Sequence, residues 1–224
     1  MQNGEMMQEN RKLTKPTFDN LPEEKQQLII RTATGEFAQY GFENTNINTI
    51  AERAGISVGS LYKYFESKQD LFLFTIAQGT EVLRDVLASI VPSDRSFEEK
   101  CAALIETIQR TSREQRELIQ LYSELTSVGN AELVRKLSYE IEAVSAAAYT
   151  ALIEDEQQKG TIRGDIEAAM AAFLMDNLFI CLQFSYASEY YRQRFGFYLG
   201  SDIEERDTFV RDQLVAFIVN ALKV

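Results

Sequence analysis

Residues 46 to 65 read NINTIAERAGISVGSLYKYF and predict two short helices joined by a tight turn. The apolar positions of the first half recur at the spacing of one helical face: Ile47, Ile50, Ala51 and Ala54. Gly55 follows them, and a glycine there can take the left-handed conformation that ends a helix. We therefore expect a helix, a glycine turn and a second helix.

The second helix of this stretch has two different faces. Ser57 stands at the N-cap position, and Leu61 and Phe65 form an apolar pair four residues apart on the inner face. The outer face consists of small, polar and aromatic residues: Val58, Gly59, Ser60, Tyr62, Lys63 and Tyr64. A helix anchored on one side and polar on the other is typical of one that enters the DNA major groove.

The composition of the whole chain favours helices. The chain has 224 residues, of which 45% are apolar, with 11 Gly and only 3 Pro. We expect an all-α fold of nine helices, at about 22–41, 47–54, 58–65, 68–90, 97–115, a sixth ending near 128, 131–159, 166–190 and 209–221. The eighth is apolar almost all round, which predicts burial on several sides, and residues 191–205 are expected to be irregular.

The periodic and aperiodic segments predict three parts of the chain. Residues 1–18 lack periodicity and are expected to form a flexible arm. Residues 19–66 are expected to form the helix-turn-helix domain. A capping-box pattern beginning at Ser67 then opens a ligand-binding and dimerisation domain over residues 67–224.

The net charge of -11 is unevenly distributed. Residues 11–70 contain eight Lys or Arg and eight Asp or Glu, while residues 71–224 contain 15 and 24, giving -9. A neutral N-terminal domain can still bind phosphates through locally placed cations, although its affinity will depend strongly on salt.

Cysteine usage and hydropathy indicate a cytoplasmic protein. Cys101 and Cys181 have no metal-ligand or disulfide spacing, so we expect two reduced thiols, no metal and no cofactor. No signal peptide is recognised, and no uninterrupted apolar run reaches the length of a membrane span, so no membrane association is expected.

Residues of about 22 to 72 resemble the DNA-binding domain of the TetR family of transcriptional regulators. The resemblance lies in Phe37, Gly41-Phe42, Ile50-Ala51, Ala54-Gly55-Ile56-Ser57, Gly59-Ser60-Leu61-Tyr62, Tyr64-Phe65 and Ser67-Lys68-Gln69-Asp70-Leu71. Beyond residue 72 the resemblance is one of architecture. It implies a homodimer formed through the eighth and ninth helices, with a ligand cavity whose occupancy moves the two DNA-binding domains apart.

The candidate DNA contacts come from the residues and from this resemblance together. Lys63 is the only cation on the outer face of the second helix, which makes it the candidate for reading guanine edges. The resemblance implies that Tyr62, Tyr64 and Lys68 contact phosphates. The full candidate set is Thr45, Asn48, Val58, Gly59, Ser60, Tyr62, Lys63, Tyr64 and Lys68.

The candidate cavity lining is drawn from the soft, aromatic and polar residues of the C-terminal part. The set is Cys101, Leu104, Tyr122, Tyr149, Met170, Phe173, Asn177 and Phe184. An ordinary core position is the stronger interpretation for each of these residues, and the Asn177 amide requires a hydrogen-bond partner wherever it is buried. An apolar or amphipathic small molecule is the expected effector.

The sequence favours a ligand-responsive repressor that binds a palindromic operator as a dimer. The chain has no His, and it lacks a Gly-rich phosphate loop, which argues against an enzyme. The alternative is a helical protein-interaction module or co-regulator that keeps the fold without an inducer, and the neutral charge of residues 11–70 supports it.

Overall fold

A computed structural model describes residues 13–124 and 131–224, and this part of the chain is helical without any strand. Its α-helices are α1 (Pro16–Asp19), α2 (Glu23–Asn44), α3 (Ile47–Arg53), α4 (Val58–Tyr64), α5 (Lys68–Ile90), α6 (Phe97–Glu114), α7 (Arg116–Glu124), α8 (Ala131–Gln158), α9 (Ala168–Ala187), α10 (Glu189–Leu199) and α11 (Asp207–Leu222), with a 3-10 turn at Ile203–Glu205. The all-α prediction is confirmed.

The prediction of nine helices is wrong, because the described residues form eleven α-helices. Helix α1 lies in the segment that was expected to be a flexible arm, and residues 1–12 of that arm lie outside the described part of the chain. Helix α10 occupies most of the segment that was expected to be irregular. Neither helix has an apolar periodicity of its own: α1 is one turn long, and α10 buries none of its side chains.

The chain divides into two compact units, which we call the head unit (the described residues up to Thr75) and the body unit (Ile76–Val224). The head unit is therefore longer than the predicted domain of residues 19–66. The first turns of α5 belong to it because Leu71 and Phe72 are buried, with the Phe72 ring 5.0 Å from that of Phe37.

The head unit is held by a compact aromatic and aliphatic core. Ile50, Ala51, Ala54, Leu61 and Phe65 are all buried, which confirms the inner faces predicted for α3 and α4. The Phe18 ring of α1 completes this core and lies 4.9 Å from the ring of Phe65 and 5.4 Å from that of Phe74. Burial of a whole phenylalanine side chain stabilises a fold by about 1.5 to 3 kcal/mol.

The body unit is built around α9, which packs on α6, α7, α8 and α10. Its core includes Leu104 and Ile105 of α6, Leu152 of α8, and Met175 and Phe179 of α9. Helix α6 begins with a capping box, in which the Ser96 hydroxyl accepts from the backbone N–H of Glu99 and the Glu99 carboxylate accepts from the backbone N–H of Ser96.

One face of α9 is not covered within a single chain. Met170, Phe173 and Leu174 are exposed, so the predicted burial on several sides is only partly realised. By length and composition alone, helix α9 could cross a membrane. The sequence did not indicate this because polar residues interrupt its apolar runs. Its other faces, however, pack on four helices of the body unit, as the central helix of a water-soluble bundle does.

Candidate nucleic-acid interface and body cavity

Two capped helices and a glycine turn form the candidate interface. The Asn46 side chain accepts a bond from the backbone N–H of Asn48 at the start of α3, and Ser57 accepts one from Ser60 at the start of α4. Gly55 has a φ of 63°, and the Ile56 N–H bonds back to the Ala51 carbonyl over 2.9 Å. The predicted helix, turn and helix are therefore present, with the glycine in the left-handed conformation.

The outer face of α4 is presented to solvent. Gly59, Tyr62 and Lys63 are exposed, while Val58, Ser60 and Tyr64 are partly buried. Asn48 of α3 is also exposed. Among the described residues, nothing forms an ion pair or a side-chain hydrogen bond with the Lys63 amine. A cation with no partner on a rigid helix can approach base edges or phosphates without first breaking a contact.

Thr45 differs from the other candidates because its side chain points into the head unit. It is only 3% exposed, and its hydroxyl lies 2.7 Å from the Gly41 carbonyl and 3.1 Å from the Glu36 carbonyl. The expectation that Thr45 contacts DNA is therefore wrong for its side chain. The hydroxyl has a single proton to donate, and it donates that proton to the carbonyls at the end of α2. This end of the helix is irregular because Gly41 interrupts it with a φ of 70°.

Three lysines of the head unit donate to backbone carbonyls at helix ends. The amine of Lys15 bonds the Tyr62 carbonyl of α4 at 3.0 Å, that of Lys25 bonds Ala54 at the end of α3 at 2.7 Å, and that of Lys68 bonds Glu43 of α2 at 3.0 Å. The last carbonyls of a helix have no partner within it and carry partial negative charge. Part of the hydrogen-bonding capacity of these three amines therefore stabilises the head unit.

Lys68 makes a second contact within the head unit in addition to this bond. Its amine also lies 5.0 Å from the centre of the Phe42 ring, and partial burial lowers its pKa. An ammonium has three protons, so Lys68 can still donate to a phosphate while it holds the Glu43 carbonyl. Its assignment as a phosphate contact stays a prediction.

Helix α1 and the residue before it support the end of α4 through contacts that the sequence did not predict. The Lys15 backbone N–H donates to the Tyr64 carbonyl at 2.8 Å, and the Thr17 hydroxyl donates to the carbonyl of Lys63. These bonds, with the Lys15 amine, cover the carbonyls of the last turn of α4. No local pattern marks them, because the partners lie about 46 residues apart in sequence.

The body unit contains a cavity of about 140 Å³. It lies among α5, α6, α7, α8 and α9, and most of its wall is apolar. The polar part includes two carboxylates, Glu142 of α8 and Asp176 of α9. Burial, together with the neighbouring Glu142 charge, raises the pKa of Asp176 to about 6.

Two of the eight candidate lining residues border this cavity, namely Tyr122 and Tyr149. The Tyr122 hydroxyl donates to Glu142 at 2.7 Å, and burial is the main reason why the pKa values of both phenols are raised. The sequence reading missed both carboxylates, because each occupies an ordinary position in a helical pattern.

The structure places the other six candidate lining residues elsewhere. Cys101 and Leu104 are buried in the core of the body unit, and burial raises the pKa of the Cys101 thiol to about 12. Phe184 is buried beside Tyr122, with ring centres 5.4 Å apart, but does not border the cavity. Met170, Phe173 and Asn177 lie on the exposed face of α9, where the Asn177 amide donates to the Phe173 carbonyl at 2.7 Å.

Comparison with known proteins relates this architecture to a family of regulators. A family model described as "Bacterial regulatory proteins, tetR family" matches residues 29–73, which include all of α3 and α4. The probable acrEF/envCD operon repressor of Escherichia coli strain K12 is 25% identical over 158 residues, which is 68% of this chain and 71% of that protein.

Solved structures extend the similarity to nearly the whole chain. A TetR family transcriptional regulator from Chloroflexus aurantiacus J-10-FL is 26% identical with a TM-score of 0.68, covering 95% of this chain and 100% of that one. The transcriptional regulator FadR from Bacillus subtilis, solved in complex with stearoyl-CoA, is 19% identical with a TM-score of 0.67, covering 84% and 97% respectively.

Proposed function

Because this chain belongs to the TetR family of transcriptional regulators, we propose that it is a repressor that occupies a palindromic DNA operator as a homodimer. A small molecule that enters the body cavity releases it from DNA. Such a protein works in the cytoplasm as a regulator without enzymatic activity.

The observation that carries this proposal is the outer face of α4. Lys63 is exposed there with no partner among the described residues, beside exposed Tyr62, and the inner face is fixed by buried Leu61. Side chains on such a face can reach base edges, while Tyr64 and Lys68 flank it as candidates for phosphate contacts.

Dimerisation through α9 and α11 is supported by the apolar side chains that these helices leave exposed. Phe173 of α9 is 60% exposed and Phe217 of α11 is 63% exposed, and Met170, Leu174 and Phe209 are exposed as well. Monomeric proteins rarely leave such apolar patches uncovered. A homodimer would place two copies of α4 on half-sites about 34 to 36 Å apart, or a multiple of that distance.

Release by a small molecule is supported by the cavity, whose wall is mostly apolar with a few polar groups. FadR from Bacillus subtilis, which shares this fold, was solved with stearoyl-CoA. A ligand can release the chain from DNA only by binding more tightly to the form that does not fit the operator.

Selection of bound sequences from random DNA duplexes tests the proposal. We expect enrichment of a two-fold symmetric sequence bound by one dimer, and loss of binding when a member of a small-molecule panel is added. Enrichment of an asymmetric site, or binding as a monomer, would contradict the mode proposed here.

A further inference from the structure

The charged residues in the wall of the body-unit cavity are both acidic. Glu142 and Asp176 face it from α8 and α9, whereas none of the lining residues is a lysine or an arginine. Among the described residues, neither carboxylate forms an ion pair. Two carboxylates in a mostly apolar space, with no balancing cation in the described part of the chain, favour a positively charged occupant.

Three of the hydroxyls that line the cavity reinforce this preference. Those of Thr111 and Ser145 donate to carbonyls of their own helices, at 2.8 Å to Thr107 and 3.3 Å to Glu142. The Tyr122 hydroxyl donates to the Glu142 side chain. With their protons used in this way, these oxygens are left with lone pairs, which accept bonds from a ligand and do not donate to it.

Aromatic rings supply the remaining surface that an organic cation requires. Tyr149 and Phe179 both line the cavity, with ring centres 5.5 Å apart and an edge-to-face arrangement. A quaternary or protonated amine near a tyrosine or phenylalanine face is stabilised by the negative potential of the ring. The apolar part of the wall can cover the body of the same molecule.

We propose that the effector of this chain is a compact organic cation, an amine or quaternary ammonium on an apolar body, which binds between Glu142 and Asp176. This inference rests on the proposed function, because it names the chemical class of the molecule that releases the operator. The volume of about 140 Å³ is close to that of the ~150 Å³ cavity in which benzene binds. An acyl-CoA, with its phosphates, would meet two carboxylates here.

Binding of a cation at pH values near or below 6 should release a proton from Asp176. The titratable groups that face Asp176 are Glu142 and Tyr149 from α8 and Tyr122 from α7, whereas α5 and α6 contribute no charged residue to the wall. A cation beside Asp176 favours its ionised form, so affinity should rise as pH increases through about 6.

Calorimetry of the full chain with three probes of one shape tests the inference. The probes are benzyltrimethylammonium, its neutral carbon isostere neopentylbenzene, and the anion phenylmethanesulfonate. We expect the cation to bind most tightly, the neutral probe more weakly and the anion not at all. The Asp176→Asn and Glu142→Gln variants should each lower the affinity for the cation by about tenfold or more and leave the affinity for the neutral probe nearly unchanged.

Glu154→Gln is the matched control, since Glu154 is an exposed carboxylate on α8 that does not line the cavity. In Glu142→Gln the amide oxygen can still accept from Tyr122, and circular dichroism verifies that each variant is folded. Equal affinity for the cation and the neutral probe, unchanged cation affinity in both variants, or no cation binding at millimolar concentration would overturn the inference.

DNA binding is measured separately on the same proteins with the selected duplex. If the chain binds its duplex and is released by a neutral or anionic molecule, the proposed function holds and the cation inference fails. If the cation binds with the specificity expected here but no duplex is bound, the proposed function fails instead.

Discussion

The backbone N–H of Lys15 donates to the carbonyl of Tyr64 at 2.8 Å and ties α1 to the end of α4. The Thr17 hydroxyl and the Lys15 amine add bonds to the preceding carbonyls of α4. The segment that precedes α2 therefore fixes the position of the helix that carries Lys63.

Phe18→Ala should destabilise the head unit by about 3 kcal/mol or more, because the ring is fully buried and its loss leaves a cavity beside Phe65 and Phe74. Urea unfolding of the full chain, followed by a signal from the head unit, measures this. Leu28→Ala is the control, since Leu28 is exposed and should cost well under 1 kcal/mol. Equal losses for the two variants would contradict the placement of α1 in the core.

Lys63→Ala should change which duplexes are selected, because its amine is the only cation on the outer face of α4. A lost base contact should cost about 1 to 3 kcal/mol at one position of the site and relax the preference there. Selection on random duplexes, compared with Lys223→Ala in the body unit, makes the measurement. A uniform loss on specific and random duplexes would show that Lys63 contacts only phosphate.

Lys68→Ala should weaken binding to all duplexes alike and flatten the salt dependence by about one unit, as expected for a single phosphate contact. Lys25→Ala is the comparison, because Lys25 makes the same kind of amine-to-carbonyl bond, to Ala54. Titrations at several salt concentrations distinguish the two. A slope that is unchanged in Lys68→Ala would mean that this amine serves only the end of α2.

Phe217→Glu should convert the proposed dimer to monomers, because a carboxylate on the exposed face of α11 would be buried without a partner in the proposed interface. Light scattering coupled to gel filtration reports the mass. Phe197→Glu on α10 is the control: Phe197 is 89% exposed but lies outside α9 and α11, and that variant should stay dimeric. A dimer that persists in Phe217→Glu would refute this interface.

Asp176→Asn should alter how stability depends on pH. The folded pKa of Asp176 is raised from 3.8 to about 6, so between these values the folded chain binds more protons than the unfolded chain. The free energy of unfolding should therefore fall as pH rises through this window. In Asp176→Asn the amide stays neutral, so about 1 to 2 kcal/mol of this loss at pH 7 should be absent, allowing for solvent screening. Melting temperatures from pH 4 to 7 measure it, with Glu154→Gln as control. Parallel curves for Asp176→Asn and the unaltered chain would contradict it.

Local sequence predicted the helix-turn-helix well. Gly55 and Ser57 have local roles, since the conformation of one and the cap of the other involve only neighbouring residues. The buried faces of α3 and α4 follow from helical periodicity. Such features can be inferred wherever the interaction lies within a few residues along the chain.

Long-range features escaped prediction. The buried state of Thr45 depends on the irregular end of α2, and α1 is stabilised by partners on α4 and α5. The cavity depends on five helices meeting, so Tyr122 and Tyr149 were predicted while Glu142 and Asp176 were not. Exposed Met170 and Phe173 resemble core residues in sequence, because an uncovered apolar face has the same pattern as a buried one.

If the chain binds DNA as proposed, the lysine bonds to helix ends and the balanced charge around them should affect how it searches for its operator. Lys15, Lys25 and Lys68 each give part of their hydrogen-bonding capacity to a carbonyl, in a segment whose formal charge is zero. Because eight carboxylates balance the eight cations of residues 11–70, we expect only a few local contacts, such as that predicted for Lys68, to release counterions on arbitrary sequences, and non-operator DNA should then retain the protein only briefly. Most copies of the protein would then diffuse freely between encounters with DNA. The number of copies able to bind the operator would follow the concentration of the effector, because few copies would be bound elsewhere on the chromosome.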